Sequence, residues 1–147
     1  MRIRIIAVGL MLVAGCAPSS SQGLKNKHCG KDVFEVHENY QPAYRRILQK
    51  TRANYQTGMI TAQMMVQGDI YTDTESGNVT VALHGGLGVD TYVTMDIAAL
   101  SDTSTKVTAY YACVPARRGY TKYVRKLMKS EFDVEAIEDT SDEPKTP

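Results

Sequence analysis

The spacing of apolar residues changes from a helical period to a period of two near residue 58. Before that point, side chains three and four positions apart share one face of a helix. They are Tyr40, Tyr44, Ile47, Leu48, Thr51 and Tyr55. Asn39 is a suitable N-cap, and Pro42 is tolerated in the first turn because the early N–H groups have no partner within the helix. The pattern predicts a helix that begins after Asn39 and ends near Gly58.

Apolar and polar residues then alternate in four runs separated by turn-rich segments. The runs span residues 60–71, 79–84, 93–99 and 107–113. Glycine, serine, asparagine and aspartate fill the segments between them, and these residues favour turns. Four strands joined by short turns predict an antiparallel meander with one buried face.

A second helix is predicted after Val114 and Pro115, because proline cannot donate a hydrogen bond to a sheet. It spans about residues 116–130. Its apolar face consists of Tyr120, Tyr123, Val124, Leu127 and Met128. A four-stranded sheet with one apolar face needs a cover, which two amphipathic helices supply. The order helix, four strands, helix therefore predicts an α+β fold, a two-layer sandwich.

The first residues have the pattern of a secretory signal peptide. Arg2 and Arg4 precede an apolar core from Ile5 to Val13, and small residues then lead to Cys16. A membrane-spanning helix needs about 20 apolar residues. The core has about half that length, which is typical of a signal peptide.

The segment Val13-Ala14-Gly15-Cys16 resembles the lipobox of bacterial lipoprotein precursors. The resemblance covers residues 1–16. It implies cleavage after Gly15 and acylation of Cys16, with palmitate or similar chains that anchor the protein in a membrane, facing the periplasm. Ala17, where other lipoproteins carry aspartate, is similar to the pattern that directs sorting to the outer membrane rather than the inner one.

These observations divide the chain into four segments. Residues 1–15 are the expected signal peptide, 16–30 a lipidated cysteine with a flexible tether, 31–130 one α+β domain, and 131–147 an acidic, disordered tail. Lys and Arg number 17 and Asp and Glu 16, and the signal peptide contains two arginines, so 17 − 2 leaves 15 cations against 16 acids. A nearly neutral mature chain does not indicate a nucleic-acid partner.

Acylation of Cys16 would leave Cys29 and Cys113 as an even pair. Disulfides persist in the oxidising periplasm, so we expect these two cysteines to be bonded. The alternative is a metal site made of His28, Cys29 and Cys113. It lacks the close ligand spacing that is typical of zinc sites, and we expect no metal and no cofactor.

No motif in the sequence indicates an enzyme. There is no G-x-S-x-G nucleophile turn and no H-E-x-x-H zinc motif. The glycine-rich segment HGGLGVD (84–90) lacks the Lys-Ser/Thr ending of a phosphate loop and is interpreted as a hairpin turn. Asp69, Asp96 and His84 fall on the outward sheet face, where scattered polar residues are ordinary.

The outward face of the predicted sheet is a candidate binding surface. Its larger side chains are Met65, Tyr71, His84, Tyr92 and Tyr110. Tyrosine and methionine are enriched at protein interfaces because they combine contact area with an adaptable or polar group. The alternative is that strands favour aromatic residues, which pair across neighbouring strands.

The second predicted helix carries a basic stripe, which is the other candidate surface. The stripe consists of Arg118, Lys122, Arg125 and Lys129. Basic amphipathic helices bind anionic membranes or acidic partners. The alternatives are a solvated back face, or a face screened by the acidic tail, whose carboxylates are Glu131, Asp133, Glu135, Glu138 and Asp139.

The sequence therefore predicts a lipid-anchored, non-enzymatic periplasmic module that binds a protein or another component of the bacterial cell envelope. The alternative is a lipoprotein that binds a small molecule or lipid in a pocket between sheet and helices. That pocket would be lined by Tyr44, Met64, Met95 or Tyr123.

Overall fold

The computed structural model describes residues 17–58 and 62–137, which form an α+β fold. The helices are α1 (Ser21–Asn26), α2 (Tyr40–Tyr55) and α3 (Arg117–Phe132). The strands are β1 (Gly30–Val36), β2 (Thr57–Gly58), β3 (Ala62–Tyr71), β4 (Ser76–Gly85), β5 (Gly88–Ser101) and β6 (Ser104–Tyr111). The predicted signal peptide and Cys16 lie outside the described residues, as do residues 138–147 of the predicted tail.

The strands form one antiparallel sheet in the order β1-β6-β5-β4-β3-β2. The predicted meander corresponds to β3 to β6, and the antiparallel α+β class is confirmed. The prediction of four strands is wrong, because the short β2 pairs with β3 and β1 pairs with β6. The strand β1 was missed because its apolar pattern is short. Phe34 and Val36 occupy inward positions, but the inward position before them is Asp32.

Both predicted helices are confirmed. The Asn39 side chain accepts a hydrogen bond from the Gln41 amide at 3.0 Å, which caps α2. The helix α3 extends to Phe132, two residues beyond the predicted end. Together α2 and α3 cover one face of the sheet. The fully buried side chains between these layers include Phe34, Ile47, Val79, Met95, Ile97, Val107 and Met128.

The other sheet face is partly covered by α1. Leu24 is fully buried there, and Lys25 forms an ion pair with Asp96 on β5 at 2.6 Å. Ser20 caps this short helix by accepting a hydrogen bond from the Gly23 amide. The segment predicted as a flexible tether is thus packed from Pro18 onward. The prediction of only two layers is also wrong near β5, because α1 adds a cover on the second face of the sheet.

Part of the predicted disordered tail is also ordered. The Ile137 amide donates a hydrogen bond to the Val33 carbonyl oxygen at 2.7 Å, and these two residues form an isolated bridge. This contact occupies part of the free edge of β1, which would otherwise expose unpaired backbone groups. Residues 131–137 therefore belong to the folded domain.

A disulfide joins Cys29 to Cys113, whose Cα atoms are 4.9 Å apart, so this predicted pairing is confirmed. Cys29 immediately precedes β1 and Cys113 follows β6, so the bond ties together the ends of two paired strands. The alternative metal site is wrong because both cysteine sulfurs are in the disulfide. His28 Nδ1 instead lies 2.9 Å from the Lys25 carbonyl oxygen.

The connections lie at two opposite ends of the sheet. The disulfide end holds Gly30, the β4–β5 turn with Leu87, and Arg117 at the start of α3. The opposite end holds the β3–β4 turn (72–75) and the β5–β6 turn (102–103). Among the described residues, no helix has the length and hydropathy needed to cross a membrane.

Candidate functional site

A cleft of about 480 Å³ opens between the first residues of β1 and the first half of α3. Its lining is predominantly basic, with five cationic side chains and one carboxylate. The lining residues are Cys29, Gly30, Lys31, Asp32, Tyr111, Arg117, Arg118, Thr121, Lys122 and Arg125. We call this site the cationic cleft. Its position beside the disulfide follows from the pairing of β1 with β6.

The floor of the cationic cleft is an ion pair between the buried Asp32 carboxylate and the partly exposed Arg125. Asp32 is 5% exposed, and its two carboxylate oxygens accept hydrogen bonds from Arg125 Nε at 2.9 Å and Nη2 at 2.8 Å. The Tyr111 hydroxyl donates a third hydrogen bond to Asp32 at 2.9 Å. A bidentate pair of this kind fixes both side chains. Asp32 is therefore a structural support for the cleft rather than a free acid.

Tyr111 remains protonated because of its surroundings. Burial raises the pKa of its phenol far above the ordinary value, and the charge and hydrogen bond of Asp32 raise it further. The nearby Arg125 guanidinium has the opposite but smaller influence. The hydroxyl therefore serves as a permanent donor to the carboxylate.

The rim of the cationic cleft carries cations that point away from the core. Arg117 donates a hydrogen bond to the Cys29 carbonyl oxygen, which holds the start of α3 against β1. Arg118 and Lys122 are exposed, one helical turn apart. Within the described ranges, neither side chain has an ion pair or a hydrogen bond. These two cations are therefore available to a ligand.

The predicted basic stripe is divided by its contacts. Arg118 and Lys122 line the cationic cleft, whereas Arg125 binds the buried Asp32. Lys129 lies at the other end of α3 and forms ion pairs with Asp133 at 2.9 Å and Glu135 at 3.5 Å. The stripe is thus not a single surface, and the described part of the acidic tail screens its last member.

The ion pair between Lys129 and Asp133 also shifts the pKa values of both groups. The hydrogen bond and charge of Asp133 raise the pKa of Lys129, and Lys129 lowers the pKa of Asp133 in the same way. Both groups therefore stay charged over the physiological range. At this end of α3 the charge of Lys129 is balanced by neighbouring carboxylates, so this region is distinct from the cationic cleft.

Tyr92 does not lie on the predicted outward binding face. Val81 pairs with Val93, but Ala82 pairs with Thr91, so β5 has one extra residue at this point. This bulge places the Tyr92 ring on the helix side, stacked on Tyr120 of α3 at 5.4 Å between centroids. The assignment of Tyr92 to the outward face is therefore wrong.

The other members of the predicted face are dispersed. The Tyr110 ring packs edge-on against His28 at 5.2 Å, close to α1. Met65 and His84 are half-buried, and Tyr71 is exposed at the opposite end of β3. His84 Nε2 is buried and has no hydrogen-bond partner in the described part of the chain. Because α1 covers the sheet at β5 and β6, these residues form no continuous surface.

Tyrosine rings pack the region between the sheet and the ends of the two long helices. Tyr55 contacts Tyr120 at 5.5 Å and Tyr123 at 4.7 Å. Burial raises the pKa of Tyr55, and these two neighbours raise it further. The four residues predicted to line an internal pocket belong to the core, because Met95 and Tyr44 are buried and Met64 and Tyr123 pack against the core cluster.

Three charged residues that line the cationic cleft were not predicted from the sequence. Lys31 and Asp32 belong to the undetected β1, and Arg117 was not included in the helical stripe. One feature could have revealed the floor of the cleft. Asp32 is in phase with Phe34 and Val36, and a carboxylate at an inward position requires a cationic partner.

Chemically, the cationic cleft can hold an anionic group. Arginine and lysine bind phosphate and carboxylate oxygens through charge-assisted hydrogen bonds. Within the described ranges, no cluster of three or more histidine, cysteine, aspartate or glutamate side chains is placed to hold a metal ion. Comparison with protein-family models, with curated proteins and with solved structures finds no match to this chain.

Proposed function

We propose that this chain is a lipid-anchored binding module of the bacterial envelope that captures an anionic envelope component in its cationic cleft. The observation that carries the proposal is the placement of two exposed cations, Arg118 and Lys122, beside Arg117 at one opening. A bound group with phosphate or carboxylate oxygens would offset this charge. The ligand is therefore an anionic part of the envelope, whether of a protein or of another component.

The anchor and the location are supported by the sequence. The lipobox-like segment ends at Cys16, and the residue after it favours the outer membrane. The Cys29–Cys113 disulfide fits the same assignment, since such bonds persist in the periplasm. The proposed module thus faces the periplasm from a membrane-held N-terminus.

Binding is proposed rather than catalysis because the cleft groups that could act as a base or a nucleophile already have hydrogen-bond partners. Both oxygens of Asp32 accept hydrogen bonds from Arg125 and Tyr111. The Thr121 hydroxyl donates to the Arg117 carbonyl oxygen at 3.1 Å. A general base needs a free basic atom that faces the substrate, and Asp32 has none to offer.

Anion titration of the ¹⁵N-labelled mature protein tests this proposal. Pyrophosphate and citrate serve as probes for phosphate and carboxylate ligands, and NMR shifts report the site. We expect saturable shifts at Arg118, Thr121 and Lys122 with one probe or both, and their loss in R118A/K122A. Lys126, on another face of α3, provides the matched K126A control. Shifts that are absent, or that survive in R118A/K122A, would contradict an anion site here.

A further inference from the structure

The start of the described chain is fixed to the disulfide end of the sheet. The Thr91 amide, near the start of β5, donates a hydrogen bond to the Pro18 carbonyl oxygen at 2.7 Å. Cys16 precedes Pro18 by two residues, and two residues span at most about 7 Å. A lipid on Cys16 would therefore leave almost no slack between the bilayer and this end of the domain.

An exposed leucine projects from the same end. Leu87 lies in the turn between β4 and β5, and its side chain is fully exposed at 107%. A Cβ atom added at Gly86 or Gly88 would meet no atom within 4 Å, so the turn stands clear of the rest of the described structure. One exposed leucine is ordinary on a protein surface. Leu87 differs from an ordinary exposed leucine because it lies at the end of the sheet that the anchored segment contacts.

Charge differs between the two ends of the sheet. The disulfide end carries Lys27, Arg117 and Arg118, with Asp90 as the acidic residue near the β4–β5 turn. The turns at the opposite end are acidic. They contain Asp73, Glu75 and Asp102. An anionic lipid surface would attract the first end and repel the second.

We propose that the disulfide end rests on the bilayer that holds the anchor, with Leu87 inserted into the interface. This inference rests on the proposed lipidation of Cys16. The occupant is an anionic phospholipid surface, because the Thr91 contact holds the anchored segment four residues from Leu87, about 13 Å along β5. Strands are about 4.8 Å apart, so β1 and its cleft lie roughly 14 Å along the membrane from β4. The cationic cleft then opens beside the bilayer.

The chain contains no tryptophan, so a single introduced tryptophan reports its own depth without background. Leu87→Trp places it at the proposed contact. Leu100→Trp is the matched control, because Leu100 is also exposed but lies at the opposite end of the sheet. Each lipidated, full-length mature variant is reconstituted into phosphatidylethanolamine and phosphatidylglycerol vesicles, with and without brominated acyl chains.

We expect brominated lipid to reduce the Leu87→Trp fluorescence about twofold and its emission to shift to the blue, with little change for Leu100→Trp. Equal quenching of both variants, or of neither, overturns the proposed orientation. A Leu87→Trp emission that shifts only on addition of a periplasmic protein also overturns it. Mass spectrometry of the Cys16 peptide separates the two proposals. A lipidated Cys16 with no depth difference refutes the orientation alone, whereas an unmodified Cys16 refutes the anchor and the orientation together.

Discussion

Arg125 of α3 holds Asp32 of β1 through two hydrogen bonds, although the two residues are 93 positions apart in the sequence. The pair connects the last helix to the edge strand and forms the floor of the cationic cleft. It therefore connects the stability of the fold to the shape of the proposed binding site.

Removing the Arg125 side chain should lower the free energy of unfolding more than removing that of Arg118 on the rim of the cleft. Arg125→Ala leaves the Asp32 carboxylate buried without its cation, and one lost partner of a buried pair costs about 3 to 5 kcal/mol. Because the Arg125 side chain is 55% exposed, we expect about 2 kcal/mol, measured by urea unfolding. Arg118→Ala, the control, should change the free energy of unfolding very little. Equal effects of the two substitutions would contradict the role of the pair.

The disulfide should contribute much of the stability of the domain. It closes a loop between residues 84 positions apart, which corresponds to about 4 to 5 kcal/mol in the chain-entropy model. We expect C29S/C113S to unfold at much lower denaturant than the oxidised protein. Thiol titration of the denatured mature protein, without reductant, checks the bond itself. Two free thiols per chain would show that it does not form.

The domain should lose stability at alkaline pH. Folding raises the pKa values of Tyr111 and Tyr55 above the ordinary tyrosine value of 10.0, chiefly through burial. Their contribution is fully present below pH 10 and declines as the pH rises beyond it, because only the unfolded state ionises easily there. Tyrosinate absorbance should show that these phenols ionise only on unfolding. Ionisation of all nine tyrosines near pH 10 with the fold intact would contradict this prediction.

The Tyr111→Phe variant isolates one part of that effect. It removes the hydrogen bond to Asp32, which should cost about 1 kcal/mol at neutral pH. Its stability should then fall less steeply above pH 10 than that of the natural protein. An unchanged slope would assign the alkaline loss to other groups.

The short helix α1 should stabilise the domain although the sequence indicates a tether. Leu24 is fully buried, so Leu24→Ala should cost about 2 to 3 kcal/mol and expose residues 18–27 to proteolysis. Leu87→Ala removes the same atoms from a fully exposed site and should be neutral. Similar stabilities for the two variants would show that α1 is not docked.

Much of the fold could be predicted from the spacing of apolar residues along the chain. The long amphipathic helices and the strands β3 to β6 have enough residues for their period to be recognised, and short turns join the strands. The disulfide followed from the assignment of Cys16 to the anchor. The helices and strands were predicted from residues that are close together in the sequence, and the disulfide from a chain that has only three cysteines.

The remainder depends on contacts that periodicity does not encode. The six-residue α1 has one buried apolar side chain, and β1 has an inward aspartate whose partner lies on a distant helix. The bulge at Thr91 and Tyr92 reverses the face of a tyrosine without any change in the alternating pattern. The cationic cleft could not be predicted either, because it forms from residues that are distant in the sequence, where β1 lies beside β6 and α3.

The central claim is that the cationic cleft captures an anionic envelope component, and photocrosslinking in living cells tests it most directly. A photoreactive residue at position 121 lies in the cleft and leaves Arg118 and Lys122 in place, whereas one at position 126 lies in the groove between α2 and α3. We expect position 121 to capture a phosphate- or carboxylate-bearing envelope component, and R118E to abolish that capture. Capture of the same component from position 126, or capture that survives R118E, would contradict the claim.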